Sequence, residues 1–212
     1  EPMGNLAERV GVPRLAGPYM LTVVVFIVAA VMIAVMLRPD PLHVAREHHT
    51  RLSGGLPVGA PRNTSVGDAV ALVRSIPPAM LGFSAMALGQ AVMVAVMSMT
   101  PVHLQHGEAS LRIIGFVISG HITGMYIASP LVGIASDRIG RRPVIIAGGA
   151  ILLASFLIAG TASGHQSIQL AIGLFLLGLG WSCTLIAGST LLTESIPADE
   201  RPNVQGTADL LM

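Results

Sequence analysis

The chain contains no lysine. All twelve of its basic residues are arginine, a choice that reflects genome composition rather than function. It has a single cysteine, Cys183, which excludes an intrachain disulfide and carries no metal-ligand pattern. Charge is scarce: 11% of residues are charged, against about 25% in an average soluble domain. No Asp, Glu, Lys or Arg falls between Arg74 and Glu108, between Arg112 and Asp137, or between Arg142 and Glu194. So little charge cannot solvate a globular surface. The net charge of +1 and the lack of a basic run give no footing for nucleic acid. No glycine-rich nucleotide-binding loop is present, so nothing in these residues calls for ATP or another cofactor.

What is present is apolar length. Hydrophobic residues make up 52% of the chain, and its mean hydropathy is +0.73. A membrane-crossing helix needs about 20 apolar residues, and all three charge-free gaps pass that test. Five spans are predicted, at about 17–37, 77–99, 112–135, 143–160 and 168–192. The run from Pro143 to Thr193 is divided because one helix of that length, at about 1.5 Å per residue, would exceed a hydrocarbon core of about 30 Å more than twofold. The polar stretch 160–167, GTASGHQS, is its only break. Pro197 is expected to end the fifth span, and a sixth is expected to start near Gly206. The chain opens at Glu1 with no signal peptide before the first apolar run, and it stops in GTADLLM as another apolar segment begins. We therefore expect a piece of a longer protein.

Arginine placement sets the orientation. Arg38, Arg46, Arg51, Arg62 and Arg74 fall in the loop 38–75, Arg138, Arg141 and Arg142 in 136–142, and Arg201 in 193–205. The opposite side has only Arg9, Arg14 and Arg112. The arginine-rich loops are predicted to be cytoplasmic. The loop 38–75, rich in Pro, Gly, His and Arg and with little periodicity, reads as a linker between two helical bundles.

Residues 133–143, GIASDRIGRRP, form the turn between the third and fourth spans. The pattern Gly133-x-x-x-Asp137-Arg138-x-Gly140-Arg141-Arg142 resembles, at every defined position, the loop signature of the major facilitator superfamily. The organisation resembles it too. Those transporters have two six-helix bundles joined by a long cytoplasmic loop, with the signature between the second and third helix of each bundle. The resemblance covers the whole chain. It implies an all-α, polytopic helical membrane protein carrying part of that fold in the cell membrane. Residues 1–37 would hold the last helix of the first bundle, 38–75 the linker, and 76–212 four full helices of the second bundle and the start of a fifth.

Local physics supplies reasons for the signature. Gly133 is expected to let a neighbouring helix approach, and Gly140 to take a positive φ. Arg138, Arg141 and Arg142 pin the turn to the cytoplasm. Positive-inside logic does not require Asp137. In the family this acid is thought to hold the cytoplasmic ends of the bundles together in the outward-facing state; the bland alternative is a turn that only sets topology.

Polar groups inside a membrane are costly and often mark a pathway. His121, near the middle of the third span, is a candidate for substrate contact or proton transfer, or else a core histidine bonded to a neighbouring helix. Its face is Ile114, Val117, Met125 and Ala128; Gly115, Ser119, Tyr126, Ser129 and Gly133 form a second one. Gln90, Tyr126 and Trp181 are the other pathway candidates. Pro130 is expected to kink its helix. The stripe Gly82, Met86, Gly89, Met93 and Met97 suits an adaptable apolar cavity or plain packing. Gly173, Gly180, Thr184, Ala187 and Gly188 read as a packing face. Glu194 and Asp209 read as loop or helix-end charges. His43, His48 and His49 lack the converging ligands of a metal site, so no metal is expected.

The function expected is secondary active transport of a small molecule across the bilayer by alternating access. Proton-coupled efflux of apolar or amphipathic compounds leads. The alternatives are an uptake symporter and a non-transporting sensor or scaffold on the same fold. The helix-five signature that marks antiporters of the family would precede residue 1. An enzyme is not expected: His121 has no acid inside a complete span to partner it, and Cys183 lies on a different helix.

Overall fold

A computed structural model describes residues 2–11, 13, 16–38, 44, 65–106, 110–162 and 166–212. Most of the expected linker, with His43, His48 and His49, lies outside these residues. The chain divides into two compact units, Glu1–Ala60 and Pro61–Met212.

The first unit contains α1 (Pro2–Arg9) packed on α2 (Gly17–Met36). Helix α2 has twenty residues and carries no charge, which is long enough to cross a bilayer.

The second unit begins with a helix that sequence periodicity did not predict, α3 (Val66–Ser75). Its start is a capping box. The Asp68 N–H donates to Ser65 Oγ at 3.2 Å, and the Ser65 N–H donates to Asp68 Oδ2 at 3.0 Å, so two orphan donors are satisfied reciprocally. The Ser65 hydroxyl also donates to Asp68 Oδ2, at 2.9 Å; this bond first, and the one from the Ser65 N–H second, favour the ionised carboxylate and hold Asp68 below its ordinary pKa. The inner face of α3 is Ala69 and Val73, in one apolar cluster with Leu192, Ile196, Val204 and Ala208. The expectation of a loop up to residue 75 is thus corrected over 66–75: ten residues, just under three turns, suffice to seat a small apolar face.

Four membrane spans follow. Helix α4 (Pro77–His106) continues through Pro101, past the expected end near 99. The third span is broken, as Pro130 predicted, into α5 (Leu111–Tyr126) and α6 (Ser129–Ile139). The Ser129 hydroxyl donates to the Met125 carbonyl at 2.7 Å, within the broken turn. Helix α7 (Arg141–Gly160) starts after one non-helical residue, Gly140, so the expected loop 136–142 is almost entirely helix ends. Helix α8 (Ser167–Ser195) ends just before Ile196, which is extended as a residue preceding proline tends to be. Helix α9 (Arg201–Leu211) starts five residues ahead of Gly206.

Helix α8 occupies the centre, packing against α4, α5, α6 and α7, and twelve of its residues are buried. Lipid tails are as apolar as leucine, so spans associate by close contact and hydrogen bonds rather than by escape from water. The small residues of α8 meet three different helices rather than one. A Cβ on Gly188 would sit 2.8 Å from the Gly82 carbonyl oxygen of α4, and one on Gly178 would sit 2.8 Å from the Met125 backbone nitrogen of α5. Gly173 and Gly180 meet Ala159 and Leu152 of α7. The buried Ser155 hydroxyl donates to the Gly173 carbonyl at 2.8 Å. Outward, Leu88, Phe116, Leu131, Ile146 and Leu153 are exposed, which suits a lipid-facing surface.

Candidate functional site: the turn at Gly140 and the midplane polar groups

The turn is built on Gly140, whose φ of 95° lies in the region that glycine enters at no steric cost. It brings the end of α6 and the start of α7 together and aims Arg141 back across the turn. The Arg141 guanidinium donates through Nη1 to the Ser136 carbonyl at 2.6 Å. Through Nε and Nη2 it forks onto both oxygens of Glu194, at 3.1 and 2.7 Å. Its Nη2 also lies 3.0 Å from Asp137 Oδ1. One cation therefore ties the ends of α6, α7 and α8. The Asp137 side chain is 73% exposed and that of Glu194 54%, so either contact alone is a modest ion pair; the bidentate fork supplies geometric definition.

Sequence reasoning singled out Asp137 and Arg141 but read Glu194 only as a helix-end charge. The family pattern gave Asp137 a role between bundles; the partner that the structure gives it is Arg141, within its own unit. Arg138 and Arg142 are exposed and make no ion pair among the described residues. Among the described residues no helix approaches Gly133 closely: a Cβ there would meet no atom within 4 Å.

At mid-depth the candidates separate into two groups. His121 is 2% exposed. Its Nδ1 is 3.0 Å from the Leu174 carbonyl oxygen of α8, and because a carbonyl only accepts, Nδ1 carries the hydrogen. Its buried neighbours on α5 are Ile114, Val117 and Gly124. Gln90 of α4 and Trp181 of α8 are brought together: the indole Nε1–H donates to Gln90 Oε1 at 2.8 Å, and both side chains are half-buried. Tyr126 is exposed at the end of α5, with no bond to this pair. In the methionine stripe, Gly82, Met86 and Gly89 are buried, with Gly188 and Thr184 of α8 close by, while Met93 and Met97 are half-buried.

Other hydroxyls are absorbed locally. Ser119, Thr123, Thr190 and Ser195 each donate to the carbonyl four residues back, at 2.6 to 2.8 Å. This is how hydroxyls are satisfied in lipid without a partner helix. Ser129 also meets Ser182 of α8, at 3.1 Å.

Described residues that form helices and short turns, with five apolar spans that carry acids only near their ends and an arginine fork at one edge, mark a polytopic helical membrane protein. Comparison with known proteins supplies the family. The Major Facilitator Superfamily profile matches residues 106–212, and the chain belongs to that superfamily. It is 40% identical over 215 residues to an uncharacterized MFS-type transporter, YdeG, of Bacillus subtilis, covering 99% of this chain and 47% of that protein. A second uncharacterized MFS-type transporter of that organism, YddS, is 37% identical over 218 residues, with the same coverage. The multidrug resistance protein MdtL of Escherichia coli is 31% identical over 101 residues, covering 48% of this chain and 25% of that protein. The chain spans about half the length of the first two relatives. No solved structure matches it. With five apolar spans and bacterial relatives, it is a multi-pass protein of the plasma membrane.

Proposed function

We propose that this chain serves a secondary active transporter that exports small apolar or amphipathic molecules by alternating access, driven by protons. In this reading α2 closes a first bundle, residues 38–64 and α3 connect the bundles, and α4 to α9 belong to the second. Substrate passes the half-buried Gln90–Trp181 pair. The observation that carries the reading is the turn itself. A G-x-x-x-D-R-x-G-R-R pattern joins two membrane spans, and its arginine ties three helix ends into one block. A rocking mechanism needs such a block. The multidrug relative supports the efflux direction, and the absence of any acid between Pro143 and Thr193 fits an apolar cargo. The proton carrier is assigned to the other bundle. His121 is read instead as a pin, since its Nδ1–H joins α5 to the Leu174 carbonyl of α8.

The test is export of a fluorescent amphiphile from cells producing the whole gene product, with and without a protonophore. Uncoupler-sensitive export is expected, and the same slow leak with and without the protein would overturn the proposal. Orientation is checked in a Cys183→Ser background. Ser110→Cys should react with an impermeant thiol reagent on intact cells and Ser75→Cys should not; the reverse pattern would invert the topology.

A further inference from the structure

We propose that Gln90 and Trp181 form a two-point recognition element for neutral, flat small molecules that carry a hydrogen-bond acceptor. This deepens the transport reading above and rests on it. Indole nitrogen is a donor only, whereas a glutamine amide has one acceptor oxygen and two N–H donors. The bond from Trp181 Nε1 to Gln90 Oε1, at 2.8 Å, therefore fixes which way the amide points. Its oxygen is taken by the indole. Flipping the amide would set donor against donor. The Gln90 Nε2 group makes no hydrogen bond to any described residue, and it is not among the buried polar atoms left without a partner. Two N–H donors are thus held ready, at an accessible position, by a bond that comes from another helix.

The surroundings narrow the ligand. Trp181 sits at the middle of α8 and Gln90 near the middle of α4. Neither helix carries a charged residue from Pro77 to Pro101 or from Ser167 to Thr193, so no carboxylate of these two helices is on hand to select a cation. The indole offers a broad face, and the half-buried Met93 of α4, one turn from Gln90, offers an adaptable thioether. A ring system with a carbonyl, ether or ring nitrogen at its edge can stack on the indole and accept from Gln90 Nε2. A cation of the same shape would bring positive charge towards two donors and have only the indole face to offset it.

Two dyes of the same ring system separate these cases. N-methylacridone is neutral with an edge carbonyl, and N-methylacridinium is its flat cationic counterpart. In everted membrane vesicles containing the whole gene product, energised uptake of the acridone is expected to have the lower KM. Gln90→Leu should raise the acridone KM by about threefold to tenfold, the effect of one hydrogen bond, and leave the acridinium KM unchanged. Trp181→Phe, which keeps a ring but frees the amide, should raise it less. Gln90→Glu, nearly the same shape, should reverse the preference, and the unchanged acridinium KM of Gln90→Leu is the control for folding. An unchanged acridone KM in Gln90→Leu, or a wild type that prefers the cation or moves neither dye while exporting other compounds, overturns this inference and leaves the transport reading intact. No energised flux of any compound overturns the transport reading itself.

Discussion

The arginine-bearing edge of the second unit and its mid-depth solve the same problem, joining helices, with different chemistry. At the edge the fasteners are ionic: Arg141 holds Ser136, Asp137 and Glu194 where water can still reach the carboxylates. At mid-depth they are neutral: a histidine on a carbonyl, an indole on an amide and glycines against backbone. The difference follows from solvation. A charge is tolerable where water shares it, whereas in the hydrocarbon zone an unpaired charge costs more than any one contact returns. Edge contacts can therefore be exchanged during a conformational cycle, and central ones are suited to staying in place.

The sharpest way to break this comparison is to enlarge the centre. Gly188→Leu would drive a side chain into the Gly82 carbonyl, which is backbone and cannot swing aside. Overpacking costs about 1–3 kcal/mol or more, so the variant should lose most of its folded form, measured by thermal unfolding in detergent. Gly133→Ala, at the edge with open space around it, should unfold like the wild type. Equal behaviour of the two would remove the distinction.

Next comes Arg141→Gln, which strips the hub of its charge and of its ion pairs to both Glu194 and Asp137. Insertion should be normal, and export should fall more than in Asp137→Asn, which loses a single exposed contact. If Asp137→Asn proves the more damaging, Asp137 acts through a partner other than Arg141. Cysteine accessibility from the cytoplasmic side, measured beside flux, would locate the change.

His121→Gln tests whether the centre titrates. Losing the bond to Leu174 costs about 0.5–1.5 kcal/mol, seen as a lower unfolding temperature, while the pH profile of export keeps its shape. A flattened profile would return His121 to the role of proton carrier.

The smallest effect belongs to α3. Ser65→Ala should loosen its first turn by about 1 kcal/mol, read by amide hydrogen exchange. Because the folded pKa of Asp68 is depressed, the cap contributes above the ordinary carboxylate range and is lost as pH falls through the folded value. Wild-type α3 should therefore exchange faster at acid pH, corrected for intrinsic rates, and Ser65→Ala, which keeps only the backbone N–H bond to Asp68, should show a weaker dependence.

Much of the fold was legible in the sequence because lipid enforces it: a charge-free run of the right length can only be a helix. The positive φ at Gly140 and the break at Pro130 were legible too, since each comes from a single residue's own covalent structure. The start of α3 was missed although Ser65-x-x-Asp68 followed by Val70 and Val73 is a capping signal; the surrounding composition hid it. The site was less legible. The acceptor for His121 is a backbone carbonyl, which every residue has and no letter marks. Gln90 and Trp181 are 91 positions apart, and no periodicity pairs residues across helices. Gly133 has no close neighbour among the described residues, because a small residue only permits an approach and its letter does not supply the helix that makes it.

The central place of α8 also has a consequence for biogenesis. Spans enter the membrane in chain order, and α8 is the last of the four that pack together. His121 needs Leu174, Ser155 needs Gly173, Gln90 needs Trp181 and Arg141 needs Glu194. Until the ribosome has delivered residues 167–195, the earlier helices stand in the bilayer with their polar groups unsatisfied, waiting for the keystone. A nascent chain stopped before Ser167 would expose those groups to lipid and to membrane quality control, and one stopped after Ser195 would have every one of these partners in hand.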